Sequence, residues 1–515
     1  MRFCQTTAWR LYRCFLALLL AACALSPAAA LEQDIVVAIT GSSFAAKSAA
    51  IDRLIEALAD DDAQARSLLL ALAANEVPGA RLNNQLRSRV SAAASVLALA
   101  SADAGARARA TEALLRTPPS AELAPLVETA IAAESDKAVG ERLAMLSALM
   151  ALNAQDAARR SAAIEHIAGA GDPQYRARLL PLLERRADGS WAEPDEALRA
   201  VAARGIERMD AAESRARLFG NVFAGISLGS VLLLAALGLA ITYGLIGVIN
   251  MAHGEFLMIG AYATFVVQNL FKQYLPGAFD WYPLAAVPAA FIVAALVGVV
   301  LERLVLRHLY GRPLETLLTT FGVSLLLMQS VRMLFGAQNV EVTNPAWMSG
   351  GLAIMPGLLL PWNRIAIIVF ALAVVAAAWL VLNHTRLGLF VRAVTQNRGM
   401  AACAGVPTSR VDTQAFAFGA GIAGLGGCAL SQIGNVGPDL GQAYIIDSFM
   451  VVVLGGVGQL AGTVVGAFGL GILSKFIEPF WGAVLAKIAV LLLIVLFIQK
   501  RPQGLFALKG RSVEA

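Results

Sequence analysis

Scarcity defines this sequence before any motif does. It has five cysteines, and Cys4, Cys14 and Cys23 lie in its first 23 residues. Residues 31–217 contain none, so no disulfide framework holds that segment together. The same segment has one histidine, His166 in "IEHIAG", and no grouping that reads as a metal or nucleophile site. A binding or docking role fits it better than catalysis. Nowhere does the pattern G-x-x-x-x-G-K-[ST] occur. The glycine-rich "GGVGQLAG" (Gly455–Gly462) lacks the lysine and hydroxyl that cradle phosphates, so the chain carries no nucleotide site of that kind. Charge is scarce as well, at 15% of residues, and Leu218–Gly254 has no Lys, Arg, Asp or Glu. A mean hydropathy of +0.67 excludes an ordinary soluble protein. The net charge of +5 is explained by basic loops beside a membrane and calls for no nucleic acid partner.

What is present divides the chain into three parts. Residues 1–30 read as a signal peptide: Arg2, Arg10 and Arg13, then the apolar "CFLALLLAACAL", then "SPAAA" with small residues before a cleavage point after Ala30. "LAAC" ending at Cys23 is a rival lipoprotein-type cleavage box. Residues 31–217 read as an exported domain of helices, with apolar residues at i, i+3, i+4 and i+7 in "AAIDRLIEALA" and "ERLAMLSALMAL". Breaks such as "TPPS" and "GAGDP" give it a solenoid-like texture. Residues 218–515 read as a membrane domain. The expected class is therefore all-α: a polytopic α-helical membrane protein behind an exported α-helical domain.

Eight apolar segments are expected to lie near 219–247, 255–271, 283–301, 314–333, 364–383, 413–433, 447–474 and 482–499. Arginine clusters place three loops on the cytoplasmic side: Arg303/Arg307/Arg312, Arg386/Arg392/Arg398/Arg410, and Lys500/Arg501/Lys509/Arg511. Crossing parity then requires that one of the last three segments not cross simply. The segment 447–474 is the choice, broken or re-entrant at Gly455, Gly456, Gly458 and Gly462. "MIGAYATF" (Met258–Phe265) and "VVGAFGLG" (Val464–Gly471) echo one another after two such breaks, as in transporters built from inverted repeats.

The residues that raise a chemical question are Asn250, His253, Gly254 and Glu255 in "NMAHGEFLMIG". A charged residue at mid-span costs about 2.5–3.5 kcal/mol on insertion scales and usually faces a cavity or partner. One reading is a backbone break within the protein, with these side chains lining or bracing a path. The other is an exposed turn with Glu255 as a first-turn acid. Gln459 and Thr463 are further candidates for the path, with Tyr243, Thr242 and Ser448 behind them. Asp447 and Lys487 read as boundary residues that snorkel or cap.

"GLAITYGLIGVINMAHGEFLMIGAY" (Gly238–Tyr262), "RAVTQNRGMAACAGV" (Arg392–Val406) and "DSFMVVVLGGVGQLAGTVVGA" (Asp447–Ala467) resemble permeases of the branched-chain amino acid ABC transporter family. Within it, "FGAQNVEVTNPAWMSGG" (Phe335–Gly351), "NVGPDLGQAYIIDSF" (Asn435–Phe449) and the tail "FIQKRPQGLFALKGR" (Phe497–Arg511) resemble the urea-transporting branch. Gly399 departs from that pattern, where a larger residue is usual. The resemblance implies an inner-membrane permease with a periplasmic N-terminal domain. Its cofactor ATP would bind partner ATPase subunits rather than this chain. A second permease subunit, a periplasmic substrate-binding protein and the membrane lipid are the other implied partners. The loop 386–412 would dock the ATPases through Gln396, Arg398, Ala401, Ala402 and Gly405, with a short helix that Gly405 and Pro407 stop. Urea or a short amide is the substrate expected from the branch. A branched-chain amino acid stays open, since Glu255 or Asp447 would suit its amine. A facilitative channel with a scaffold domain is the reading from another class.

Overall fold

A computed structural model describes residues 35–506, except 42, 60, 61, 79, 81, 121, 122, 153, 155, 248 and 249. The expected signal peptide, the Cys23 alternative, Lys509 and Arg511 lie outside the described residues. The chain separates into two compact units between Glu213 and Ser214.

The first unit is helical: α1 (Phe44–Ala59), α2 (Ala63–Ala73), α3 (Asn84–Ala98), α4 (Ala104–Arg116), α5 (Ala124–Ala133), α6 (Lys137–Ala151) and α7 (Ala157–Ala170). Alanine and leucine favour these helices, and short polar side chains begin them. Asp62, Asn83, Asp103, Asp136 and Asp156 each accept a hydrogen bond from a backbone N–H of the first turn. Neighbouring helices pack on one another, with α4 reaching past α5 to α6, and Ile51, Leu54, Leu69, Leu86, Leu114, Leu143 and Leu146 form a continuous apolar core. The start of α8 (Glu196–Ile246) adds Leu198, Ala202 and Met209 to a second core around Ile164 and Ile167. Arg107 grips Glu134 with two hydrogen bonds of 2.8 and 2.9 Å. This pair holds the Glu134 carboxyl down at about 2, well below the usual carboxylate range.

The second unit continues α8 and adds α9 (His253–Tyr274), α10 (Tyr282–Leu304), α11 (Pro313–Phe335) and α12 (Trp362–His384). Two short helices follow, α13 (Arg386–Gln396) and α14 (Arg398–Cys403), and then α15 (Thr408–Ser431), α16 (Leu440–Gly455) and α17 (Leu460–Lys500). The one sheet among the described residues is the hairpin β1 (Gly351–Met355) and β2 (Leu358–Pro361). Among the described residues, six helices are long and apolar enough to cross a membrane, and α9 and α16 are not among them. The protein is a polytopic, all-α membrane protein.

Helices α9, α10 and α15 form the centre. Ala286, Ala290, Ala294 and Gly298 put a small residue on α10 at every fourth position, and their close approach seats α15 through Phe416, Ala420 and Gly424. Small residues drive such packing where lipid removes the hydrophobic incentive. Helix α9 is buried from His253 to Tyr262, sheltered by its neighbours. Helices α11, α12 and the second half of α17 expose apolar faces instead, as lipid-facing helices do.

The expected segment 447–474 is not one element. Helix α16 ends at Gly455, and Gly456 and Gly458 turn the chain with φ of 101° and 76° before α17 begins. Residues with a Cβ rarely adopt such φ. Gly455 lies against Gly462, and Val451 against Gly466, so α16 and α17 run antiparallel. The expected boundary between 447–474 and 482–499 falls at a second break, where Gly482 (φ 75°) interrupts α17. Three helical segments therefore follow α15. The two echoing octapeptides lie on α9 and α17.

Candidate functional site

Asn250, His253 and Glu255 come together where α8 ends and α9 begins. All three are buried. Asn250 turns the chain by accepting from the Ala252 N–H at 3.0 Å. His253 Nε2 lies 3.1 Å from the Ala235 carbonyl of α8. Glu255 Oε1 accepts from the Ser324 hydroxyl of α11 at 2.8 Å. The turn itself is tied to α11, since the Met251 N–H donates to Thr320 Oγ1 at 3.2 Å. An exposed turn is thus overturned: neighbouring helices cover the polar group completely. Gly254 packs directly on Gly441 of α16, an approach that any side chain would block. Three polar atoms of the group have no hydrogen-bond partner among the described residues: Asn250 Nδ2, His253 Nδ1 and Glu255 Oε2. Buried polar groups are nearly always paired, so an open set of both donor and acceptor type sets this group apart from the rest of the interior.

Ser324 and Thr320 were not among the expected residues. With Thr316 they form the buried face of α11 at four-residue spacing. That Ser/Thr periodicity inside an apolar helix was the available signal. Gln459 and Thr463 do not join the group through any hydrogen bond among the described residues. Thr463 donates to the Gln459 carbonyl at 2.9 Å, within its own helix. The adjoining turn at Gly458 meets Gly244 of α8. Thr242 and Ser448 likewise bond to carbonyls of their own helices. Asp447 and Lys487 lie inside α16 and α17 rather than at caps, and they pair with each other at 3.2 Å.

In the loop 386–412, Gln396 ends α13 and Asn397 caps α14 by accepting from the Met400 N–H at 2.8 Å. Gly405 (φ 84°) stops the helix. Ala401 and Ala402 do not share one outward surface. Ala401 is buried with Val394, Val411 and Ala415, whereas Ala402 and Met400 face outward. Arg398 reaches Asp412 of α15.

The model of the family described as "Branched-chain amino acid transport system / permease component" matches residues 221–499, more than half of the chain. This chain belongs to that family. The permease is 30% identical over 287 residues to the high-affinity branched-chain amino acid transport system permease protein BraD of Pseudomonas aeruginosa, covering 55% of this chain and 93% of the relative. It is 29% identical over 292 residues to LivH of Escherichia coli K12, a permease of the same description, covering 55% and 94%. It is 28% identical over 233 residues to the ribose import permease protein RbsC of Escherichia coli K12, covering 42% and 70%. No solved structure matches the permease. All of the polar group at α9, Ser324 included, falls inside the family region.

Proposed function

We propose that this chain is the membrane-spanning subunit of an ABC importer and passes a branched-chain amino acid across the inner membrane. The observation that carries the substrate assignment is the open carboxylate oxygen of Glu255. No Lys or Arg pairs with Glu255 among the described residues, and a buried carboxylate without a cation is costly. The ammonium group of an amino acid supplies that cation, and Asn250 Nδ2 offers a donor to its carboxylate. The names of BraD and LivH support the same substrate class. The arginine-rich end that carries Arg303, Arg307 and α13–α14 faces the cytoplasm, where partner ATPase subunits bind ATP and dock on the exposed face of α14. Residues 31–217 face the periplasm, with a substrate-binding protein as partner there and a second permease subunit in the membrane.

A second reading is urea, from the resemblance of two segments to the urea branch. The segments Phe335–Gly351 and Asn435–Phe449, which resemble the urea branch, meet in a bridge of two hydrogen bonds, Val340 N to Val436 O at 2.8 Å and back at 2.9 Å. Urea would use the same donors and acceptors with no charge to pair. Uptake of labelled leucine and labelled urea by cells with and without this chain, each with intact and inactive ATPase partners, tests both. Chain-dependent leucine uptake that needs the ATPase supports the first reading, and urea uptake alone replaces it with the second. Uptake indifferent to the ATPase makes the protein a facilitative channel and overturns both.

A further inference from the structure

A closed ring of side chains stands behind α14. Arg398 forms an ion pair with Asp412, which is buried near the start of α15. The Arg398 guanidinium also lies over the Tyr310 ring, 5.1 Å from its centre. The Tyr310 hydroxyl donates to Glu302 Oε1 at 3.2 Å. Glu302, fully buried near the end of α10, accepts through its other oxygen from the Thr413 hydroxyl at 2.6 Å. Thr413 follows Asp412 in the chain, so the ring closes. Arg307 approaches Glu302 from outside at 3.9 Å.

Six residues are too few for a helix to hold its own shape, so α14 depends on what it is fastened to. It has two fastenings: the Ala401 side chain in its small apolar core, and Arg398 in the ring. If α14 moves away, Asp412 loses its cation inside the protein, which costs far more than breaking a surface ion pair. Displacement of α14 is thereby tied to α15 and, through Glu302, to α10. Those two helices pack against α9 around Phe256 and Ala294, next to the polar group at Glu255.

We propose that Arg398, Asp412, Thr413, Glu302 and Tyr310 act as a latch that positions α14 on α10 and α15 and transmits the movement of an ATPase docked at α14 to the helices around Glu255. The latch rests on the reading of the chain as an importer permease. Its members are positioning residues and do not touch the solute. A transmitting latch and a merely structural one differ in the ATP hydrolysed per solute moved.

The test reconstitutes the complete importer in liposomes and measures uptake and ATP hydrolysis together for wild type, Asp412→Asn and Tyr310→Phe. Asp412→Asn is expected to raise the ATP used per solute by about fivefold or more, as expected when a coupling free energy of this kind is lost. Tyr310→Phe keeps the ring under Arg398 and removes only the hydroxyl contact, so it gives a smaller rise in the same direction; it also decides the matter if Asp412→Asn does not assemble. Uptake and hydrolysis falling in equal proportion, or an unchanged ratio in Tyr310→Phe, would overturn the latch. A wild-type complex without ATP-dependent uptake would overturn the importer reading instead.

Discussion

Two buried polar clusters in the membrane unit are built on opposite plans. At the start of α9, Asn250, His253 and Glu255 each keep one polar atom without a protein partner. At the arginine-rich end, the oxygens of Glu302 and Asp412 are met by Thr413, Tyr310 and Arg398. The acids of both clusters are buried, so the depth of the carboxylates does not separate them. Satisfaction does. A closed polar network fixes one geometry, whereas an open one keeps donors and acceptors that the protein itself does not satisfy. The difference teaches that the degree of pairing, rather than depth, is what sets these two clusters apart.

The sharpest way to break the comparison is to remove the open acid. Glu255→Ala should lower uptake by about a hundredfold at equal membrane abundance, in line with losing a hydrogen-bonded charge contact to the solute. Glu255→Gln separates the two substrates: leucine uptake should fall almost as far, while urea uptake should largely persist. Near-normal uptake in Glu255→Ala would remove the open cluster from the mechanism. Next in size is a contrast within α14. Ala402→Glu should cut ATP-driven uptake by about tenfold without loss of protein from the membrane, because it meets only the docked partner. Ala401→Glu should instead deplete the protein itself, because it buries a charge among Val394, Val411 and Ala415. Equal abundance of the two variants, read by immunoblot of membranes, would contradict their opposite orientations.

A smaller effect is expected at Ser324. Ser324→Ala frees the second oxygen of Glu255 and should weaken uptake by about fivefold, whereas Ser324→Thr should restore most of it. An unchanged rate in Ser324→Ala would show that Glu255 needs no support from α11. The smallest effect belongs to a closed pair in the first unit. The Arg107 contact holds the Glu134 carboxyl at about 2, so its contribution to stability is complete above the ordinary value of 4.5 and is lost as pH falls toward 2. Amide-exchange protection across α4–α6 of the full chain, corrected for the intrinsic pH dependence of exchange, should decline over that interval in wild type. It should be flatter in Glu134→Gln.

Much of this architecture was legible because lipid imposes strict rules. Uncharged runs located α8, α10, α11, α12 and α15 to within a few residues at most of their ends, and central glycines marked the α16–α17 turn. The break at Gly482 was legible only as the gap between 474 and 482: one glycine in an apolar run looks the same whether it packs or bends, and its positive φ is what marks it as the break. At the site, Asn250, His253 and Glu255 stood out as polar residues in an apolar stretch. Ser324 lies 69 residues from Glu255, and nothing local announces such pairing. The latch was half visible: Arg398 belongs to a basic loop, but its partner Asp412 is an isolated acid that composition treats as solvent-exposed. Which of Ala401 and Ala402 faces outward depends on the phase of a six-residue helix, set by the Asn397 cap.

The shelter around α9 has a consequence for biogenesis. Glu255 is covered partly by Gly441, 186 positions later in the chain. At a synthesis rate of about 5–20 residues per second, roughly 10–40 s separate the two during translation. Throughout that interval α9, which lacks the apolar character of a self-sufficient span, is without its final neighbours. The insertion machinery must therefore retain this helix, or a chaperone must guard it, until α15 and α16 emerge. Ribosome pausing between residues 275 and 440 would prolong its vulnerability to membrane proteases, which makes the timing of synthesis part of how the cell sets the number of working copies.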